Sequence, residues 1–186
     1  MSSTTVEVPG LVAGTWTIDP VHSEVGFTVR HLMVSKVKGS FKTFEGSITI
    51  ADNPLASKVE VTIDASSIDT RDEGRDTHLR SSDFFEVEQH PQITFTSTGV
   101  RAAGSDYVVT GDLTIHGTTR PVDLELEFNG VGPDPWGGTR VGFSASTEIS
   151  RGDFGIEFNM PLDGGGVVIG DKIKITLEVE AILQKA

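Results

Sequence analysis

Residues 16–41 read W-T-I-D-P-V-H-S-E-V-G-F-T-V-R-H-L-M-V-S-K-V-K-G-S-F, and this stretch decides the fold class. From Val25 to Val29 every second residue is apolar, which is the period of two that a half-buried β-strand shows. Asp19-Pro20 breaks the chain before that strand, because proline fixes its own φ and favours extended geometry in the residue before it. The stretch therefore predicts a strand, a turn, a second strand and the start of a third.

The same alternation recurs along the rest of the chain. Further segments with this period are 44–50, 58–63, 92–96, 107–115, 122–128, 141–146 and 173–180. They are rich in Val, Ile, Phe and Thr and are separated by turn signals such as Asp52-Asn53-Pro54. Only the interval around residues 71–85 resembles a helix, with room for one or two turns. The pattern predicts one all-β domain over residues 1–186, with about eight strands and a short helical insert around residues 71–85.

Strands with one solvent-exposed face and one apolar face can bury their apolar faces in two ways. A two-sheet sandwich packs its apolar faces against each other. A closed barrel removes the sheet edges, and with about eight strands it holds either packed side chains or one small ligand. Uniform strand length and meander-like turns favour the barrel, but only slightly.

The charge and composition of the chain argue against some classes of binding partner and of site. The formal net charge of -12 argues against nucleic acid and against an anionic membrane surface, although a local face can differ from the average. The chain has no Cys, which excludes disulfides, zinc–thiolate sites and thiol catalysis. No apolar run approaches the ~20 residues of a membrane span. The first ten residues, M-S-S-T-T-V-E-V-P-G, lack the features of a signal peptide, so we expect a cytoplasmic protein.

Five motifs in order resemble the YceI-like family. They are W-T-I-D-P-V-H-S with F-T-V-R-H-L, R-D-T-H-L-R-S-S-D-F-F, H-P-Q-I-T-F-T-S, G-D-L-T-I-H-G-T-T-R-P-V and R-G-D-F-G-I. Each motif is weak alone, but together they span most of the chain. Members of that family share a lipocalin-like β-barrel and bind long polyisoprenoid or other lipid chains inside it. The resemblance therefore implies an extended eight-stranded antiparallel lipocalin-like β-barrel.

The resemblance also implies a function in binding, storage or transport of a lipid such as a prenyl quinone or a prenyl diphosphate, with no cofactor and no metal. Ten Phe against one Tyr and two Trp suit an apolar lining, because Phe adds no donor that needs a partner. The predicted lining residues are Phe27, Val29, Phe41, Phe44, Phe84, Phe85, Phe95, Phe143 and Phe154. The alternative interpretation is that these side chains form an ordinary packed core.

A polar head group would need its own contacts. Guanidinium groups bind phosphate bidentately, so the insert is a candidate site for a diphosphate. Its candidate residues are Arg71, Arg75, His78 and Arg80. The alternative is that these side chains pair with the neighbouring acids on a solvated surface. His31, a polar residue on an apolar parity, is a candidate hydrogen-bond partner for a quinone or amide head.

Two other hypotheses stay open beside the lipid carrier. A lipid-modifying enzyme could use His22 or His31 as a general base beside Asp19 or Glu24. No nucleophile lies in a recognisable setting, and the five His show no metal-binding spacing, so we predict neither an enzyme nor a metal site. A packed barrel without a ligand could instead be an interaction scaffold. A homodimer would protect any long edge strand.

Overall fold

The structure is a computed structural model, and it describes residues 8–32, 34–159 and 168–184. In these residues the chain forms eleven strands and one α-helix, α1 (Glu73–Arg80). The strands are β1 (Gly14–Ile18), β2 (Glu24–His31), β3 (Ser35–Phe41), β4 (Phe44–Ile50), β5 (Lys58–Asp64), β6 (Ile68–Asp69), β7 (Gln92–Ala103), β8 (Asp106–Ile115), β9 (Thr118–Pro133), β10 (Thr139–Ser150) and β11 (Ile169–Leu183). No helix among the described residues is long and apolar enough to cross a membrane.

The strands close into a barrel. In the described residues the hydrogen-bonded order is β1-β4-β5-β7-β8-β9-β10-β11, and β11 pairs back to β1. Every pairing in this ring is antiparallel. The prediction of an eight-stranded antiparallel barrel is confirmed, and the two-sheet sandwich is excluded.

The three remaining strands lengthen the barrel. Two neighbouring segments of β11 pair with β1 and with β2. β1 and β2 are therefore two parts of one interrupted strand. In the same way β3 and β4 are two parts of one strand, because β3 pairs with β2 and β4 pairs with β1. β6 pairs with β3 and continues β5. Eight long strands, three of them interrupted, therefore account for all eleven strands of the described chain.

Two of the interruptions have clear local causes. Between β1 and β2 the side chain of Asp19 accepts a hydrogen bond from the Val21 backbone N–H at 3.0 Å, which closes a turn around Pro20. Between β5 and β6 the Asp64 side chain accepts from the Ser66 backbone N–H at 3.0 Å and caps a short 3-10 turn. In both turns the Asp side chain, rather than a neighbouring strand, accepts the hydrogen bond of the backbone N–H.

The period-two pattern predicts correctly which side of each strand faces the interior. Most inward side chains of β4, β7, β8 and β10 are buried, and the intervening polar residues are exposed or half-buried. Two inward positions are glycines that lie under aromatic rings. A Cβ on Gly39 would lie 2.3 Å from Phe27 Cζ, and one on Gly111 would lie 2.4 Å from Phe95 Cζ. The missing side chains give these two rings room against the barrel wall.

The predicted helical insert folds as α1 followed by turns. Asp72 caps the helix by accepting from the Arg75 backbone N–H at 2.8 Å. The buried Asp76 carboxylate accepts from the backbone N–H of Thr70 at 2.9 Å and from its hydroxyl at 2.5 Å, which ties the helix to the end of β6. The insert supplies Leu79 and other apolar side chains to the barrel interior.

Candidate functional site

An apolar cavity occupies the inside of the barrel. Its volume is about 280 Å³, close to the lower end of the range for small-molecule sites. Inward side chains from all the long strands line it, together with Leu11 before β1 and with Leu79, Phe84 and Phe85 from the insert. The cavity is therefore built on the rigid sheet and is covered by side chains from loops and the helix.

Two strands of the barrel, β9 and β11, have inward side chains that border the cavity without being fully buried. The inward side chains of β9 and β11 lie between polar residues that face solvent, and yet they are only half-buried. They are Val122, Leu124, Leu126, Phe128, Ile173, Ile175, Leu177 and Val179. In a packed barrel such side chains would be buried like most inward side chains of the neighbouring strands β8 and β10. The interior therefore leaves apolar surface uncovered.

Few polar side chains reach this cavity. Among the described residues those beside it are Ser23, Glu24, Ser57, Tyr107, Thr147 and Arg151, and of these Glu24 is exposed at the start of β2. The Ser23 hydroxyl already donates to the Glu180 backbone carbonyl at 3.2 Å, and the Ser57 hydroxyl accepts from the Ala51 backbone N–H at 3.1 Å. The site can therefore hold an apolar chain over most of its length, with little polar recognition along it.

Arg151 is the one cationic side chain in the described lining, and backbone carbonyls surround its guanidinium. Its Nε donates to Gly170 O at 3.0 Å, and its Nη1 donates to Ile156 O at 3.1 Å and to Phe158 O at 2.8 Å. Burial lowers the pKa of this guanidinium from its ordinary value, although Asp171 opposes that effect. Arg151 therefore joins the loop after β10 to the start of β11 and has little capacity left for a ligand.

The apolar residues predicted for the site all line the cavity. They are Phe27, Val29, Phe41, Phe44, Phe84, Phe85, Phe95, Phe143 and Phe154. Pairs of them are in ring contact, with Phe27 and Phe41 centroids 5.7 Å apart and Phe41 and Phe85 centroids 5.8 Å apart. Their position agrees with a lining, and contact with a ligand stays a prediction.

The polar residues predicted for the site lie elsewhere. His31, Arg71, Arg75, His78 and Arg80 are not among the residues that line the cavity. Arg75 donates to the Thr70 hydroxyl and carbonyl, both at 2.7 Å, and Arg80 donates to backbone carbonyls at 2.8 and 3.2 Å. His78 pairs with an acid of the insert at 2.8 Å. Arg71 is exposed, and half-buried His31 ends β2. Their positions give no support to a head-group site at these residues.

Sequence reasoning missed a charged network at the end of β1. The Arg140 guanidinium lies 2.7 Å from Asp19 Oδ2, 3.0 Å from Asp134 Oδ2 and 3.2 Å from Glu180 Oε2. The Arg140 hydrogen bond, with a smaller contribution from His22, lowers the pKa of Asp19 from 3.8 to about 2 although burial opposes it. The His22–Asp19 pair proposed for general-base catalysis does form, at 2.7 Å, but neither residue lines the cavity. The network holds the ends of β1, β10 and β11 together.

Asp19→Asn should therefore lower stability in a pH-dependent way. The folded-state pKa of Asp19 lies below its unfolded value, so the stabilisation is fully present above pH ~4 and is lost as the pH falls towards ~2. With solvent screening we expect Asp19→Asn to cost about 1–2 kcal/mol at neutral pH. Urea unfolding at a series of pH values measures the difference. A constant difference between pH 2 and pH 7 would contradict the assignment.

Two groups of side chains in the described chain have ligand atoms close enough for a metal ion. In the first, Asp19, His22 and Glu180, the Arg140 guanidinium already supplies the positive charge. In the second, Glu86, His90 and His116, the His116 ring lies 3.3 Å from Glu86 Oε2 and 3.3 Å from the Phe154 carbonyl. Both ring nitrogens of His116 therefore already have a partner in the protein. Neither group needs a metal to explain its geometry.

Comparisons with known proteins agree with this architecture. The YceI-like domain family matches residues 16–181. Protein YceI of Escherichia coli is 44% identical over 165 residues, which cover 88% of this chain and 83% of that protein. The crystal structure of Burkholderia cenocepacia BcnA has a TM-score of 0.77 at 24% identity and covers 88% of this chain and 98% of that one. A polyisoprenoid binding domain from Saccharophagus degradans has a TM-score of 0.69 at 17% identity and covers 93% and 100%. These two structures show a shared fold.

Proposed function

The chain belongs to the family of YceI-like domains, and we propose from this that its cavity binds a long-chain polyisoprenoid or a related lipid for storage or transport. The observation that carries the proposal is the apolar cavity inside the barrel, along which the inward side chains of β9 and β11 are only half-buried. Burying hydrocarbon stabilises a complex by roughly 0.8 kcal/mol per CH₂. A flexible chain loses part of this to ordering, but enough remains for tight binding without specific polar contacts. The neighbouring fold from Saccharophagus degradans, which is a polyisoprenoid binding domain, supports this class of ligand.

The polar lining favours a neutral head group. A prenyl diphosphate needs free cationic donors, and the one cation in the described lining, Arg151, is engaged by backbone carbonyls. A prenyl quinone carries no charge and accepts hydrogen bonds only. We therefore favour a prenyl quinone or another uncharged lipid as the cargo, held in the cytoplasm.

The other two hypotheses have less support. For an enzyme, the described lining contains no imidazole, and the His22–Asp19 pair lies outside the cavity. For a scaffold with a packed interior, the inward side chains of β9 and β11 would have to be covered by neighbours. A lipid carrier explains both the half-buried inward side chains of β9 and β11 and the sparse polar lining.

A series of prenyl chains that share one head group tests the proposal. We expect affinity to rise by about tenfold for each added isoprene unit until the cavity is filled, and then to level off. Competition against a bound fluorescent fatty chain, measured in solution without vesicles, gives the dissociation constants. The head group without its tail is the matched control and should not compete. Equal affinity for the head group and for the long chain would contradict recognition by the tail.

A further inference from the structure

The hairpin between β2 and β3 exposes apolar side chains at its tip. Leu32 and Val34 have exposed fractions of 41% and 86%. The tip extends beyond the paired residues His31 and Ser35, where the ladder between the two strands ends. A projecting apolar tip is unfavourable in water and suits an interface in which apolar groups can be buried.

Below this tip the outer face of the sheet is basic. On β2 and β3 the outward residues Arg30 and Lys36 lie directly opposite each other, and Lys38 lies opposite Thr28. Lys174 of β11 pairs with Thr28 from the other side of β2. All four cationic side chains are exposed. We call Arg30, Lys36, Lys38 and Lys174 the basic face.

The basic face is unusual in this protein. The chain has a net charge of -12, and yet none of these four cations forms an ion pair within the part of the chain that the structure describes. Like charges directly opposite each other, such as Arg30 and Lys36, destabilise a sheet. Among the acids of the same strands and their neighbours, Glu148 lies opposite Lys174, whereas Glu24 and Glu178 pair with each other farther along β2 and β11 and Asp69 lies opposite Ser40. An external anionic surface would complement this arrangement.

We propose that the β2–β3 hairpin docks on a membrane surface that contains anionic lipids. The apolar tip enters the boundary between head groups and acyl chains, and the basic face lies against the phosphate layer. The order of the two features fits the layers of a bilayer, because exposed, apolar Val34 precedes the last paired residue Ser35, and Lys36 and Lys38 follow along β3. Val29, on the inward side of the same β2 strand, lines the cavity, so docking brings the cavity wall close to the membrane. This proposal goes beyond lipid binding in solution and does not depend on the identity of the cargo.

Co-sedimentation with vesicles tests the docking. The protein is mixed with vesicles of phosphatidylcholine alone or of phosphatidylcholine with phosphatidylglycerol, at low and at high salt. We expect at least about tenfold stronger binding to the anionic vesicles at low salt, and loss of this preference at high salt. Equal binding to both vesicle types, or binding to neither, would overturn the proposal.

Charge-matched variants locate the surface. Lys36→Gln/Lys38→Gln should weaken binding to the anionic vesicles by at least about tenfold. Lys58→Gln/Arg101→Gln removes the same charge from other exposed strands and should leave binding nearly unchanged. Val34→Asp changes an exposed side chain and should leave the fold intact. It should weaken binding to the anionic vesicles as much as Lys36→Gln/Lys38→Gln does. Equal losses in both double variants would show a nonspecific charge effect and overturn the assignment.

Two further measurements separate this proposal from its competitors. Sedimentation velocity reports whether the hairpin joins two copies of the chain, and a dimer that Val34→Asp dissociates would replace the membrane by a second copy. The prenyl-chain competition assay in solution reports on the cavity. Because Lys36, Lys38 and Val34 do not line the cavity, we expect their variants to keep full affinity for the prenyl chain. Failure of docking and failure of lipid binding are thus distinguishable.

Discussion

Replacing Leu126 by tryptophan should abolish binding of a long prenyl chain while the barrel stays folded. Leu126 points inward from the middle of β9 and is only half-buried, because open space lies in front of it. A larger side chain there can extend into the cavity without displacing packed neighbours, which is the usual cause of destabilisation by added volume. The indole ring would occupy the path of the ligand. We expect affinity to fall by at least about 100-fold, since several methylene groups lose their place.

The matched control for this variant is Glu127→Trp. Glu127 is the next residue of β9 and faces solvent, so the same ring is added on the outer side of the same strand. The control should bind prenyl chains as the unaltered protein does. Thermal unfolding should show similar midpoints for both variants. Full affinity in Leu126→Trp would mean that the ligand does not pass this part of the interior, and it would contradict the proposed cavity.

Arg151→Met should produce the largest loss of stability. The Arg151 side chain is 7% exposed, and its guanidinium donates to carbonyls of the loop after β10 and of the start of β11. Methionine preserves most of the apolar stem but leaves these buried carbonyls without donors. A buried acceptor left without its donor costs about 1–3 kcal/mol, so losing several such donors together should cost about 3–5 kcal/mol. We expect a loss of this size in the free energy of unfolding.

Urea unfolding of Arg151→Met and Arg120→Met measures this difference. Arg120 is an exposed residue of β9 whose Nε donates to one backbone carbonyl, that of Asp153, at 3.2 Å. Its replacement should cost less than about 1 kcal/mol. If the two variants lose similar stability, the guanidinium of Arg151 is not the element that fastens this loop.

The strands and their faces were predictable from the sequence, because alternation of apolar and polar residues is a local property. The interruptions were only partly predictable. Pro20 marks the first break, but the break between β5 and β6 depends on the Asp64 cap, which the alternation does not show. Closure into a barrel came from the family resemblance, since strand length and turn type fit a sandwich nearly as well.

The apolar part of the site was more predictable than the polar part. A Phe that alternates with polar residues along a strand must face the interior. Phe128 of β9, which the prediction omitted, shows the same alternation and also lines the cavity. Arginine side chains are long and have many possible acceptors. The arginines of the insert suggested a phosphate site and the acids around them suggested ion pairs, but in the fold the Arg75 guanidinium binds the carbonyl and hydroxyl of Thr70. No local pattern marks such a choice.

Two features depend on positions that are distant in sequence. Arg140 meets Asp19 across 121 positions, so no motif could reveal that ion pair. The basic face combines residues of β2, β3 and β11, and its charge is hidden in a strongly acidic total. The net charge argued against an anionic membrane as a partner because it averages over faces that the fold separates.

Native mass spectrometry of the gently purified protein, followed by organic extraction and lipid analysis, tests the central claim most directly. We expect a stoichiometric complex whose extract contains an unaltered prenyl chain with an uncharged head group, and an empty barrel in Leu126→Trp. A protein that is empty as purified and also refuses added prenyl quinones and prenyl diphosphates would contradict the lipid carrier.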